Sequence, residues 1–206
     1  MGLREIKMGR TRRQIADHAF ALFMTQGFES TTIEQIASAA EVGTRTLYRY
    51  YPTKESLIVD FVESSLDAAV GELRNQPDDT PLPQALYTVI DTVMRVTRED
   101  TDRVLAVYQL AEQAPSVKAR LAEYALRWRI EVAGEVSRRI GGGEHADLVA
   151  ALVSANAMNI VDITMRTWVM GGGAQNPDVI AQTILRVMHD GVPMPTAPQV
   201  PAESVN

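Results

Sequence analysis

The sequence predicts an all-α protein: a small N-terminal three-helix domain joined by one long helix to a larger helical body. Three observations carry that prediction. Apolar residues recur at spacings of three and four along most of the 206 residues, and no segment sustains period-two alternation. Charge is divided between the two parts. Residues 1–54 hold eight Lys/Arg (Arg4, Lys7, Arg10, Arg12, Arg13, Arg45, Arg49, Lys54) and five acids (Glu5, Asp17, Glu29, Glu34, Glu41), a net of +3. The formal charge of the whole is −6, so the remainder carries −9. The third observation is the Pro/Asp loop Gln76 to Pro83, which marks the clearest boundary.

Composition narrows the class. At 46% hydrophobic, the chain can build a real core. It has no cysteine, which excludes disulfides and thiolate metal sites and suits a reducing cytoplasm. Its first thirteen residues are basic but lack the apolar run of a leader. Acidic overall charge argues against a polyanionic partner, whereas a basic head on an acidic body places such a partner at the N-terminus.

In chain order, a basic arm leads into a helix from about Arg10 to Gln26, with Ile15, Ala19, Leu22 and Phe23 on one face. Gly27 is placed as its cap, and Phe28 folds back onto the last turn. A short helix follows, burying Ile33, Ile36, Ala37 and Ala40. Thr31 or Thr32 caps it, with Glu34 or Gln35 completing a capping box. Glu41-Val42-Gly43 breaks the pattern. The next short helix turns Leu47 and Tyr51 inward and leaves Thr44, Arg45, Thr46, Tyr48 and Arg49 on other faces, and Pro52 ends it. Two turns of helix cannot stand alone, so neighbours must support it. Its outward residues are types that bond phosphates and base edges. Helix, tight turn and polar basic helix together give the geometry of a major-groove reader.

From Thr53 a linker helix runs to about Asn75, with Ile58, Val62, Leu66, Ala69 and Leu73 in one stripe, widened by Leu57 and Phe61. Further helices are expected at about 83–98, 101–113, 115–140, 144–171 and 177–190, separated by Asp, Pro and Gly punctuation. Residues 193–206, proline-rich, are expected to form a disordered tail. Leu148 to Met170 is nearly all apolar, but Asn156, Asn159, Asp162 and Arg166 interrupt it, which argues against a membrane span. Such a helix is central to the core or shared with a second subunit. Ala150, Ala151, Ala155 and Ala157 suit close helix approach. Asp162 and Arg166, four apart, form either a plain surface pair or an interface pair.

Residues Arg12 to Leu57 resemble the DNA-binding domain of the TetR family of transcriptional regulators. The matching positions are Ile15, Ala19, Phe23, Gly27, Thr31-Thr32, Ile36-Ala37, Ala40, Val42, Thr46-Leu47-Tyr48, Tyr50-Tyr51, Pro52, Lys54-Glu55 and Leu57. Two positions depart: Glu41 replaces the usual turn glycine, and Gly43 the usual capping serine. A non-glycine residue in a left-handed turn costs on the order of 1 kcal/mol, and glycine remains an acceptable cap. The stretch Pro115 to Trp128, followed by Trp168 and a Gly-rich end, is similar to TetR-like regulators of the mycofactocin-associated type.

The resemblance implies a ligand-responsive repressor that binds a palindromic DNA operator as a homodimer. Its head would be residues 1–54 and its ligand-binding and dimerisation body 55–192, including the linker helix 53–75. DNA contacts are expected from Thr32, Gly43, Thr44, Arg45, Thr46, Tyr48, Arg49, Tyr50 and Lys54. The last two long helices would form the dimer face. Within the body a small-molecule pocket is implied, with Met94, Tyr108, Tyr124, Trp128, Asn156, Met158, Asn159 and Met165 as candidate walls, although such side chains are more often plain core. The implied effector is acyl-CoA or another long apolar ligand, which either releases DNA, the commoner arrangement, or promotes binding. No cofactor, metal or membrane partner is expected, and the implied location is the cytoplasm.

Two other classes fit the sequence less well. An enzyme needs a constellation, and none is evident: His18, His145 and His189 are scattered, no zinc-type His pair occurs, and both GGG runs follow helices. A helical protein-interaction module that has lost specific DNA binding would not need the +3 head or the intact Thr44, Arg45, Tyr48, Arg49, Tyr50 and Lys54 set.

Overall fold

A computed structural model describes residues 2–143 and 145–191, and these form helices and their connections, with no strand among the described residues. The expected tail at 193–206 lies outside the described residues. In order the helices are α1 (Leu3–Gln26), α2 (Ile33–Ala39), α3 (Thr44–Tyr50), α4 (Lys54–Asn75), α5 (Leu82–Glu99), α6 (Thr101–Gln113), α7 (Pro115–Ile140), α8 (Ala146–Met170) and α9 (Pro177–Gly191). One boundary is corrected. The basic arm is not a separate extension: α1 already begins at Leu3. Arg, Glu, Lys and Met are good helix formers, and one glycine, Gly9, does not outweigh them.

The head folds around Ile15, Ala19, Phe23, Ile36, Leu47 and Tyr51, all buried. Each fully buried large apolar side chain contributes roughly 1.5–3 kcal/mol, which is how a seven-residue α3 persists. Gly27, with φ of 90°, ends α1 and lets the Phe28 ring pack tilted against that of Phe23, with centres 5.0 Å apart. Thr32 caps α2, and Gln35 reaches back to the Thr32 amide at 2.8 Å. Gln26 then bonds the Gln35 side chain at 2.9 Å, which fixes the α1–α2 corner. The head's core does not stop at residue 54. Leu57 and Ile58 of α4 belong to it, as do Val107 and Ala111 of α6 and Val117 of α7.

In the body, α4 packs against α1, α5, α6 and α7, while α8 packs against α7 and α9. Trp128 and Trp168 are the largest fully buried side chains. The Trp128 indole donates to the Leu66 carbonyl at 3.0 Å, which satisfies its one donor. The C-terminal end of α4 is tied down by Arg139, whose side chain is only 3% exposed. Its guanidinium donates to the carbonyls of Leu73 (2.7 Å), Gln76 (2.8 Å) and Pro77 (3.1 Å). These carbonyls lie at and just past the end of α4, where the helix leaves acceptors to be filled from outside. Glu135 holds the same guanidinium at 3.0 Å and also pairs with Arg138. The hydrogen bond from Arg138 is the main cause of the lowered Glu135 pKa, with burial opposing and Arg139 adding to it.

By length and composition α8 is apolar enough to cross a membrane, yet Ala157, Ile160, Val161, Thr164 and Trp168 are packed inside the protein. Its other face stays exposed and largely apolar: Leu148, Leu152 (65%), Ile163 and Met170 (85%). The four alanines divide: Ala150 and Ala157 are buried, Ala151 is exposed and Ala155 is half-buried. Val179 and Val187 of α9 add to the exposed apolar surface.

Candidate nucleic-acid interface and cavity

The turn before α3 is tight. The Glu41 amide bonds the Ser38 carbonyl at 3.1 Å and the Val42 amide the Ala37 carbonyl at 2.9 Å, with Glu41 at φ of 54°. That left-handed residue is the position where a glycine would be unstrained. Gly43 caps α3 without a side-chain bond, and its carbonyl accepts from the Thr46 and Leu47 amides. Leu47 is buried, so the rest of the short helix is oriented by one anchored side chain and by Tyr51 after it.

Thr44, Arg45, Tyr48 and Arg49 are exposed, and Thr46 and Tyr50 are half-buried. The Arg49 guanidinium lies 5.3 Å from the Tyr50 ring centre, a cation–π contact on an exposed side chain. Thr32 is exposed at the start of α2. Together they present aromatic, hydroxyl and guanidinium groups on one compact unit.

Lys54 departs from expectation. Its ammonium donates to the Phe28 carbonyl at 2.7 Å, reaches those of Thr31 (3.4 Å) and Glu29 (3.5 Å), and stands 4.4 Å over the Phe28 ring. The short bond to Phe28 and the ring beneath the ammonium make this side chain close the α1–α2 corner rather than stand free to grip a phosphate. Arg12 is committed in the same way. It bonds Asp60 of α4 at 2.6 Å, and the Tyr51 hydroxyl donates to the Arg12 carbonyl at 3.1 Å. Burial alone would lower the Arg12 pKa, but the hydrogen bond and charge of Asp60 outweigh it and raise it. For Tyr51, burial first and Asp60 second push the phenol up, so it stays neutral. Arg10 and Arg13 remain exposed on α1.

A cavity of about 300 Å³ lies among α4, α5, α6, α7 and α8. Of the expected walls, Tyr108, Tyr124, Met158 and Met165 line it. Met94 and Trp128 do not: both are consumed in the packing core. Asn156 and Asn159 also fall away, because they sit on the exposed outer face of α8. Walls not foreseen from sequence include Phe61, Val93 and Val104. Thr97 is tied to the Val93 carbonyl at 2.9 Å and touches the Met165 sulfur. Burial, with Asp162 nearby, pushes the Tyr108 phenol to about 12, so it is a neutral group. Asp162 and Arg166 do pair, and they do so at the cavity's edge together with Glu112 and Lys118, which pair at 3.1 Å. The result is an apolar chamber with a charged rim, the make-up of a small-molecule site. Among the described residues no group of three or more His, Asp or Glu is placed to hold a metal ion.

Comparison with known proteins gives two family matches. Residues 15–60 match bacterial regulatory proteins of the tetR family, and residues 80–193 match the MftR C-terminal domain. The chain is 37% identical over 153 residues to the HTH-type transcriptional regulator TcmR of Streptomyces glaucescens, covering 71% of this chain and 66% of that protein. It is 27% identical to the putative mycofactocin biosynthesis transcriptional regulator MftR of Mycobacterium tuberculosis, over 80% and 84% of the two chains. Among solved structures, the fold is similar to Thermus thermophilus FadR in complex with lauroyl-CoA, with a TM-score of 0.60 and 22% identity. That match covers 93% of this chain and 100% of FadR. It is likewise similar to Bacillus subtilis FadR in complex with stearoyl-CoA, with a TM-score of 0.59, 19% identity and coverage of 87% and 98%.

Proposed function

We infer the function of this chain from its family, for it belongs to the TetR family of bacterial regulatory proteins: it is a ligand-responsive transcriptional repressor. The observation that carries the reading is the pairing of an exposed Arg45/Tyr48/Arg49 helix with a separate apolar cavity, bridged by α4. Thr44, Arg45, Thr46, Tyr48 and Arg49 meet bases and nearby phosphates. Thr32, Tyr50 and the Gly43 backbone engage the strand backbone, and Lys54 shapes the head that presents them.

Two copies associate through the exposed apolar faces of α8 and α9 to form a homodimer. Its two heads then engage major-groove half-sites about 34–36 Å apart on a palindromic operator. The effector is a small molecule with a long apolar part, for which acyl-CoA is the leading candidate: the cavity walls are aliphatic and aromatic, and Lys118 and Arg166 at the rim would exchange their Glu112 and Asp162 partners for an anionic end. Binding of effector lowers operator affinity, and operator lowers effector affinity by the same factor. The protein acts in the cytoplasm, without catalysis.

Native mass spectrometry of gently purified protein, with and without a genomic fragment selected for binding, tests the whole. A dimer that sheds a co-purified small molecule on taking up DNA is the expected result. A ligand-free species that ignores every fragment would overturn the repressor and favour an interaction module.

A further inference from the structure

On the premise that the chain is a repressor, we propose that Arg103 is the latch through which the filled cavity dislodges the head. Arg103 sits on α6, a helix with two duties. Val104, Tyr108 and Ala111 of α6 line the cavity, while Val107 and Ala111 also belong to the head's core. Arg103 itself bonds Asp17 of α1 at 2.7 Å. Its guanidinium lies 5.0 Å from the ring centre of Phe20, also on α1, and 5.2 Å from that of Phe61 on α4. One side chain therefore touches the head twice and the linker helix once. Phe61 is at the same time a wall of the cavity.

The guanidinium is poorly satisfied where it stands. The Arg103 side chain is 14% exposed, and its Nε is buried without a hydrogen-bond partner. A buried donor left unpaired is costly, so the position holds only while the two rings and Asp17 keep their places. A ligand that fills the chamber pushes on Phe61, and a shift of that ring removes one of the three supports. Arg103 then leaves Asp17 for solvent or the cavity rim, and α1 loses its polar tie to α6. The head has a latched and an unlatched arrangement, and ligand and DNA bias them in opposite directions.

Wild type, Asp17→Asn and Arg103→Gln are compared on a genomic fragment selected for wild-type binding, with and without lauroyl-CoA as probe. In the wild type the ligand weakens binding by about fivefold or more. Each variant binds the fragment more weakly without ligand and responds to it less, and the double variant adds nothing to either single one. Additive losses, or an undiminished ligand response, overturn the latch. A second readout needs neither DNA nor ligand. Ala125→Phe places a ring in the cavity, with Ala122→Leu as the substitute filler if that variant does not fold. Amide hydrogen exchange across residues 14–23 then accelerates in the wild-type background and is unaffected by the filler in Arg103→Gln. Unaltered exchange in the wild-type background overturns the latch. A wild type that binds no fragment while the exchange result holds sinks the repressor and leaves the latch standing.

Discussion

The ammonium of Lys54 bonds the carbonyl of Phe28 at 2.7 Å while resting 4.4 Å above the same residue's ring. One cation thus closes the corner between α1 and α2 and fastens it to the first turn of α4. Its loss leaves the Phe28 carbonyl with only the Thr31 amide at 3.3 Å and uncovers the ring face. Lys54→Ala is expected to destabilise the protein by about 1–3 kcal/mol in a denaturant titration. The slope of log affinity against log salt is expected to stay unchanged. A slope reduced by about one would mean that Lys54 leaves its carbonyls for a phosphate in the complex.

Arg45 has no such commitment and is exposed near the start of α3. Arg45→Ala is expected to cost about 1–3 kcal/mol on the selected operator and to relax base preference at one position per half-site. A binding selection with the variant measures this. An unchanged consensus would remove Arg45 from the readers.

The proposed homodimer rests on the exposed outer stripe of α8. Leu152→Asp puts a charge at a 65% exposed apolar position, so the monomer fold has no reason to suffer. Sedimentation should show a monomer with a near-native melting curve and much weakened operator binding. A dimer that survives this change would place the interface elsewhere.

Acid sensitivity follows from Glu135, whose carboxyl titrates below its usual 4.5 because the Arg138 hydrogen bond outweighs burial, with Arg139 adding to it. A carboxyl depressed in the folded state supplies stability at pH above 4.5, and that share is lost as pH falls through the folded value. Glu135→Gln should therefore show a flatter fall of melting temperature below about pH 4.5 than the wild type. Parallel curves would mean that the Glu135 pairing contributes nothing to folding.

Much of the fold was legible because glycine and proline punctuate it. Asp100-Thr101, Pro115 and Pro177 sit at helix starts, and α6 and α7 have the bounds expected of them. Periodicity also found Leu47 and Tyr51, the two anchors of the reading helix. It failed where a helix is apolar on nearly every face. On α8 the spacing does not say which side points inward, so it does not exclude Asn156 and Asn159, which stand on the exposed face away from the cavity. Contacts between distant residues were out of range altogether: Arg12 with Asp60 and Arg103 with Asp17 join separate helices. One signal did exist. Arg103 lies four before Val107 and eight before Ala111, on the buried stripe of α6, and a basic residue in such a stripe must find a partner inside.

Arg139 ties the C-terminal end of α4 to the body. A helix of 22 residues is about 33 Å long, so the head is carried at the far tip of a rigid rod hinged in the body. A tilt of only about 5° about that hinge sweeps the tip by about 3 Å, and two such rods in a dimer change the distance between heads by up to about 6 Å. Half-sites one helical turn apart tolerate little of that error, so a displacement in the chamber smaller than a methyl group's width is amplified into a misfit with the groove.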